Sequence, residues 1–283
     1  MKRVLLIGGS GQLGTAIRLR WNDWEIVAPA RRELAIEQRG HLVEALDRIR
    51  PDVLINAAAF HDVDRCETHA YDAFAVNAFA VGEAAELAGR REVLFVTIST
   101  DYVFDGKTSV PYDEEAPANP LSVYGMSKRT GEYLALQGGE RSLVVRTCGL
   151  YGVAASTSRH PLIERVLWRS AGGEPVRIVD DVVASPTFAG DLAWALRQLI
   201  EADACGLYHA VNDGAVSWYE FARMAANFAG KSVSLEPICA DQWKAAAPRP
   251  RFSALANAKL AARDITMPSW QAGIAAYLGI QVR

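Results

Sequence analysis

Short, almost wholly apolar runs alternate with longer segments of helical periodicity through the first half of the chain. The runs at 4–7, 25–28, 52–56, 93–99 and 143–146 are bounded by turn residues and predict buried strands. Between them, 12–20, 41–49, 71–88 and 122–136 carry helical patterns. Pro51 follows one helical pattern and precedes a strand, where it would stop the helix. Such alternation predicts right-handed crossovers and a parallel sheet covered by helices on both faces.

Beyond Tyr151 the rhythm changes. Helical patterns at 162–170, 190–201 and 217–228 mix with brief strands at 176–179, 207–211 and 232–236, and a linker at 245–250 leads into a last helical stretch. The division expected from this is an α/β domain over 1–150 and a smaller α+β lobe over 151–283. Segments near 188–202 and 245–260 are expected to return to the first domain.

Composition narrows the function classes. With 283 residues, half of them apolar, the chain can bury one large core or two modest ones. A net charge of −3 provides no basic field for nucleic acid or anionic lipid. Cys66, Cys148, Cys205 and Cys239 are scattered without a paired short spacing, which argues against a metal cage or disulfide framework and fits a reducing compartment. Lys2 and Arg3 precede an apolar run in the manner of a signal peptide, but the run ends at Gly8, too early for one. A soluble, cytoplasmic protein is expected.

The first candidate chemistry lies where the opening strand ends. Gly8-Gly9-Ser10-Gly11-Gln12-Leu13-Gly14 follows a strand and opens a helix. Gly8 permits the tight turn, Gly11 admits a pyrophosphate to the backbone, and Gly14 lets helix and sheet approach. The helix start, with Gln12 and Leu13, supplies free N–H groups and partial positive charge for the anion. This is a dinucleotide site on a Rossmann-type, doubly wound parallel sheet. The second strand leads into Arg31 and Arg32 with no acid before Glu33, which favours the 2′-phosphate of NADPH; NADH stays open as an alternative.

The second candidate lies after the fourth strand. Ser99-Thr100-Asp101-Tyr102 ends it at the carboxyl edge, and Tyr124 and Lys128 follow at i and i+4 on one helix face. Ketone reduction needs a hydride and a proton for the developing alkoxide. A free phenol ionises near about 10, and a neighbouring ammonium with an oxidised nicotinamide would lower it toward neutrality. Thr100 would hold the carbonyl oxygen, and Lys128 would also reach the nicotinamide ribose.

Together these residues resemble the dTDP-4-dehydrorhamnose reductase family, extended short-chain dehydrogenases acting on nucleotide-linked 4-keto-6-deoxy sugars. The resemblance runs through the glycine loop, 50–59, Val63, Asp64, Glu67, 99–104, 120–125 with Lys128, and Arg146-Thr147. It continues through 179–181, 185–187, 191–193, Arg249-Pro250, Ser253, Leu255 and Trp270-Gln271. It implies that Thr100, Tyr124 and Lys128 are catalytic and that Ala57, Ala58, Ala59 and Ser99 lie at the cofactor. Val63, Asp101 and Tyr102 would face the sugar, and Arg249 would approach the nucleotide diphosphate. Sugar-nucleotide dehydratases place an Asp-Glu pair after the threonine; here Tyr102 follows Asp101, which favours reduction.

Some positions depart from the family pattern. His61 stands where threonine is common, either as a substrate contact or as a surface or core histidine. Ala35-Ile36 replaces an Asp-hydrophobic pair near the adenine, 158–162 reads Ser-Arg-His-Pro-Leu where a Gly-Asn-Phe-like loop is expected, and Phe252 replaces an asparagine. The sugar or its nucleotide can therefore differ from dTDP-rhamnose. Two other readings stay open: a cofactor-binding regulatory subunit like the methionine adenosyltransferase β subunit, and a ketoreductase or epimerase for another nucleotide sugar. Paired helices could build a homodimer, though no residue pattern demands it.

Overall fold

In the computed structural model, which describes residues 1–153, 162–168 and 175–280, the apolar runs become β1 (Arg3–Ile7), β2 (Glu25–Val27), β3 (Val53–Asn56), β4 (Leu94–Thr100) and β5 (Ser142–Thr147). The helices between them are α1 (Gln12–Arg20), α2 (Arg39–Ile49), α3 (Val63–Thr68), α4 (Ala70–Phe74), α5 (Ala80–Gly89) and α6 (Val123–Gly138). The second half contributes α7 (Leu162–Trp168), β6 (Val176–Val179), β7 (Val183–Ala184), α8 (Ala189–Glu201) and β8 (Gly206–His209). It ends with β9 (Val216–Ser217), α9 (Trp218–Phe228), β10 (Leu235–Ile238), α10 (Ala258–Ala261) and α11 (Trp270–Leu278).

The main sheet has six parallel strands in the order β2-β1-β3-β4-β5-β8. Period-two alternation divides its side chains between two apolar faces. Val4 and Leu6 join a core with Ile17 of α1, Trp21 just beyond it, and Leu192 and Leu196 of α8. Leu5 and Ile7 join another with Leu42 and Leu46 of α2 and Val81 of α5. Burying one such side chain contributes about 1.5–3 kcal/mol, so strands covered on both sides read as continuous apolar runs. The architecture is the Rossmann-type doubly wound α/β fold expected from the sequence.

The chain leaves β1 toward β2 and then returns to β3 on the opposite side of β1, with Ile7 beside Asn56 in register. This reversal opens a crevice at the carboxyl ends of β1 and β3, the place where open α/β sheets bind ligands.

Two expectations are corrected. The segment at 71–88, expected as one helix, is α4 and α5 joined by a π-helical turn over Ala75–Phe79. That turn brings buried Asn77 inward, where Oδ1 accepts from the Phe60 N–H (2.8 Å) and Nδ2 donates to Phe60 O (3.0 Å) and Ser127 Oγ (3.1 Å). Inserted residues of this kind often mark functional positions, and this one ties the loop after β3 to α6. The strand at 207–211, expected in the smaller lobe, is β8 and pairs with β5 in the main sheet. Its apolar residues show burial but not which partner provides it.

Packing explains the last glycine of the loop. Gly8 has φ +84°, and a Cβ on Gly14 would lie 2.3 Å from the Gly8 carbonyl oxygen. Gly14→Ala is therefore expected to destabilise the protein by about 1–3 kcal/mol, the usual range for overpacking a tight site. A lower urea midpoint at unchanged slope would show it. Among the described residues, no helix is long and apolar enough to cross a membrane.

Candidate active site

Thr100 is the last residue of β4 and caps the short helical turn Asp101–Val103. Its Oγ1 accepts from the Tyr102 N–H at 3.2 Å and donates to Asp101 Oδ1 at 3.0 Å. Ser122 caps α6 by accepting from the Gly125 N–H at 3.2 Å, which starts the helix just before Tyr124. The Tyr124 ring meets Tyr102 edge-on, with centroids 5.9 Å apart and planes at 80°. Thr100, Asp101, Tyr102 and Tyr124 line a cavity of about 160 Å³ together with Val63. Val182, Ala184, Trp218 and Ser253 also line it.

Lys128 lies one turn along α6, buried, with Nζ donating to the Ile98 carbonyl at 2.6 Å. Burial brings its ammonium down to about 8 despite the nearby Glu132 carboxylate. The Tyr124 phenol is pushed up by burial, with Asp101 adding to the effect and Thr100 opposing it through hydrogen bonding. The lysine's donation to a main-chain carbonyl does not offset the loss of water around the phenol, so the protein's own groups hold Tyr124 protonated. Asp101 is also pushed up, by burial first, against hydrogen bonds from Ser253, Cys148 and Thr100.

The structure brings the two candidate cofactor segments together. The Ala57 N–H donates to Ile7 O at 2.9 Å, Ala58 N–H to Asn56 Oδ1 at 3.1 Å, and a Cβ on Gly8 would touch the Ala57 carbonyl carbon and Ala58 nitrogen at 2.8 Å. Ala59 follows them, half-buried. Gln12 begins α1, whereas the Leu13 side chain is buried in the core. At the Gly11 N-cap no side chain bonds the helix start among the described residues, and a Cβ there would meet only Gly8 O, at 3.5 Å. The first-turn N–H groups thus face a cradle that a side chain would fill.

Other candidates are placed differently. Ser99 Oγ donates to Glu132 Oε1 at 2.5 Å inside a buried network. Arg31 and Arg32 are exposed, Arg31 3.0 Å from Glu37 and Arg32 3.9 Å from Glu33. His61 is exposed, with Nδ1 3.5 Å from Ala59 O, and is not part of the cavity wall. Arg249 makes two 3.0 Å bonds to Asp64, beside cavity-lining Val63, and holds that carboxyl below its usual range. Residues 158–161 of the divergent segment at 158–162 lie outside the described residues.

Three groups escaped the sequence reading. Glu132 sits one turn beyond Lys128, where Arg146 binds it through Nε and Nη2 at 2.8 Å each. The i+4 spacing was a usable signal for Glu132. Cys148 donates to Asp101 Oδ2 at 3.1 Å, and Trp218 enters the cavity wall from α9. Neither has a local sequence signal, because long-range packing decides both.

Residues 1–282 match the family model described as the RmlD substrate binding domain. The chain belongs to this family. Among relatives, it is 32% identical over 280 residues to the spore coat polysaccharide biosynthesis protein SpsK of Bacillus subtilis (strain 168), covering 98% of this chain and 97% of that protein. It is 34% identical over 231 residues to a dTDP-4-dehydrorhamnose reductase of Aggregatibacter actinomycetemcomitans, covering 78% and 77%. The crystal structure of dTDP-4-dehydrorhamnose reductase from Bacillus anthracis str. Ames in complex with NADP superposes with a TM-score of 0.93 at 30% identity, covering 98% of each chain. Membership agrees with the resemblance seen in the sequence.

Proposed function

We propose that the protein is an NADPH-dependent oxidoreductase that reduces the 4-keto group of a nucleotide-linked 4-keto-6-deoxyhexose, with dTDP-4-dehydro-L-rhamnose as the substrate. The observation that carries this reading is a cavity with Thr100 and Tyr124 on its wall, at the carboxyl edge of the sheet that also bears the glycine loop. At about 160 Å³ it is well below the roughly 300–1,000 Å³ of pockets enclosing whole drug-sized ligands. It suits one sugar ring, with the nucleotide outside. The named activity of the reductase relatives and the NADP bound by the superposed structure support the assignment.

The cradle at Gly11 and the alanine wall at 57–59 fit a dinucleotide: the first turn of α1 would hold the pyrophosphate, and Arg31 or Arg32 the 2′-phosphate. When bound, NADPH supplies the hydride. Thr100 would orient the substrate's C4 oxygen, and Tyr124, kept protonated by burial, would give that oxygen its proton. Lys128 would hold a proton at Nζ near neutral pH and reach toward the ribose. No second acid follows Asp101, so water elimination lacks its base.

Gly11→Ala is expected to weaken NADPH binding while leaving the unfolding midpoint unchanged, in contrast to Gly14→Ala. Titration of NADPH against both variants checks it. The function itself is tested by NADPH consumption with the dTDP-, GDP- and UDP-linked 4-keto-6-deoxyhexoses. Turnover with the dTDP-linked sugar is expected, and no turnover on any of them would overturn the proposal.

A further inference from the structure

Trp218 reaches the cavity by a route built from three segments. β7 and β9 pair antiparallel, with Val183 opposite Ser217 and Ala184 opposite Val216. The Trp218 N–H then donates to Val182 O at 3.3 Å. That ladder places the first residue of α9 beside the segment that contributes Val182 and Ala184 to the cavity. Phe221 supports the indole from behind, edge-on at 88° with centroids 5.9 Å apart.

The floor beneath the indole is Gly149. It has φ +50°, and a Cβ there would lie 2.5 Å from the Trp218 Cη2 and 3.2 Å from Cζ2. Any side chain at 149 would displace the indole, so the ring occupies space that this glycine leaves. The cavity lining is consequently mixed. Thr100, Asp101, Tyr102, Tyr124 and Ser253 give the lining its polar groups, while Trp218, Val182, Ala184 and Val63 give it an apolar part. A sugar with hydroxyls all round would bury some of them unpaired against the apolar residues, at an energetic cost. A ring with one deoxygenated carbon would present a methyl group there instead.

We propose that Trp218, seated on Gly149, is a specificity-determining residue that receives the deoxygenated carbon of the sugar and so favours a 6-deoxy ring over its 6-hydroxy counterpart. The inference rests on the reductase reading above and deepens it. It is tested with dTDP-L-rhamnose and dTDP-L-mannose, which differ only by the hydroxyl at C6, titrated into the NADP-saturated enzyme. The wild type is expected to prefer the rhamnosyl form by about 10- to 200-fold, the range for one small group in an apolar pocket. Trp218→Ala is expected to abolish that preference and lower kcat/KM for the keto sugar by a similar factor. Trp218→Phe should keep part of both, and Gly149→Ala should imitate Trp218→Ala by pushing the indole aside. NADPH affinity should stay at the wild-type value in all three variants.

An undiminished C6 preference in Trp218→Ala would overturn the inference, and so would a parallel loss of NADPH affinity, which would mark general damage. A wild type that binds both sugars but reduces no keto sugar would overturn the reductase reading alone. The two binding constants would then still decide the role of Trp218.

Discussion

Tyr124→Phe is expected to lower kcat/KM for keto-sugar reduction by about 10²- to 10⁴-fold, the usual contribution of a positioned proton donor. The substitution removes one hydroxyl and leaves the ring in its edge-on contact with Tyr102. The Ser122 cap and the course of α6 do not depend on that hydroxyl. NADPH affinity and the unfolding midpoint should therefore remain at wild-type values, separating lost chemistry from lost structure. Burial keeps the phenol protonated in the protein, which is the form a reduction consumes. Steady-state kinetics beside an NADPH titration would check both halves. Wild-type kcat/KM in the variant would move the donor role elsewhere, with Asp101, buried and raised, as the group to examine next.

Arg146→Met is expected to destabilise the protein by about 3–5 kcal/mol, the range for stranding one member of a buried ion pair. Glu132 and Arg146 are 1% and 2% exposed at their side chains, so water cannot replace the lost partner. Arg129 would remain 3.2 Å from Glu132 Oε2, but its side chain is 41% exposed and largely hydrated. The guanidinium also lies 5.1 Å from the Phe104 ring centroid and 3.3 Å from His209 Nε2, contacts that the thioether cannot reproduce in full. Replacing Glu132 and Arg146 together by Met should cost much less than the sum of the single changes, because no charge is then left unpaired. Urea unfolding of the four proteins forms a double-mutant cycle. Additive losses would show that the pair is not coupled.

Local pattern made much of the fold legible. The apolar runs that became β1, β3, β4 and β5 are recognisable because each is largely buried and flanked by turns, and half-buried β2 follows the same pattern at the sheet edge. The helix from Gln12 to Arg20 could be placed because a glycine turn precedes it. Tyr124 and Lys128 could be paired because helical spacing places i and i+4 on one face. In contrast, the π-helical turn at Ala75–Phe79 depends on Asn77 finding Phe60 and Ser127 across a loop and another helix. The burial that raises the Tyr124 phenol left no such local signal, because adjacency to a lysine is visible in sequence whereas desolvation is not.

The sequence by itself determined the alternating α/β architecture, the dinucleotide-type glycine turn and the i, i+4 placement of Tyr124 and Lys128, all of which rest on short-range spacing. Only the tertiary structure decided that Gly206–His209 closes the main sheet, that Glu132 and Arg146 neutralise one another beneath the site, and that Trp218 lies over Gly149. The physical reason is range. Backbone geometry repeats over a few residues and leaves a period in the sequence, whereas burial, close packing and charge neutralisation arise between segments whose separation along the chain carries no period at all.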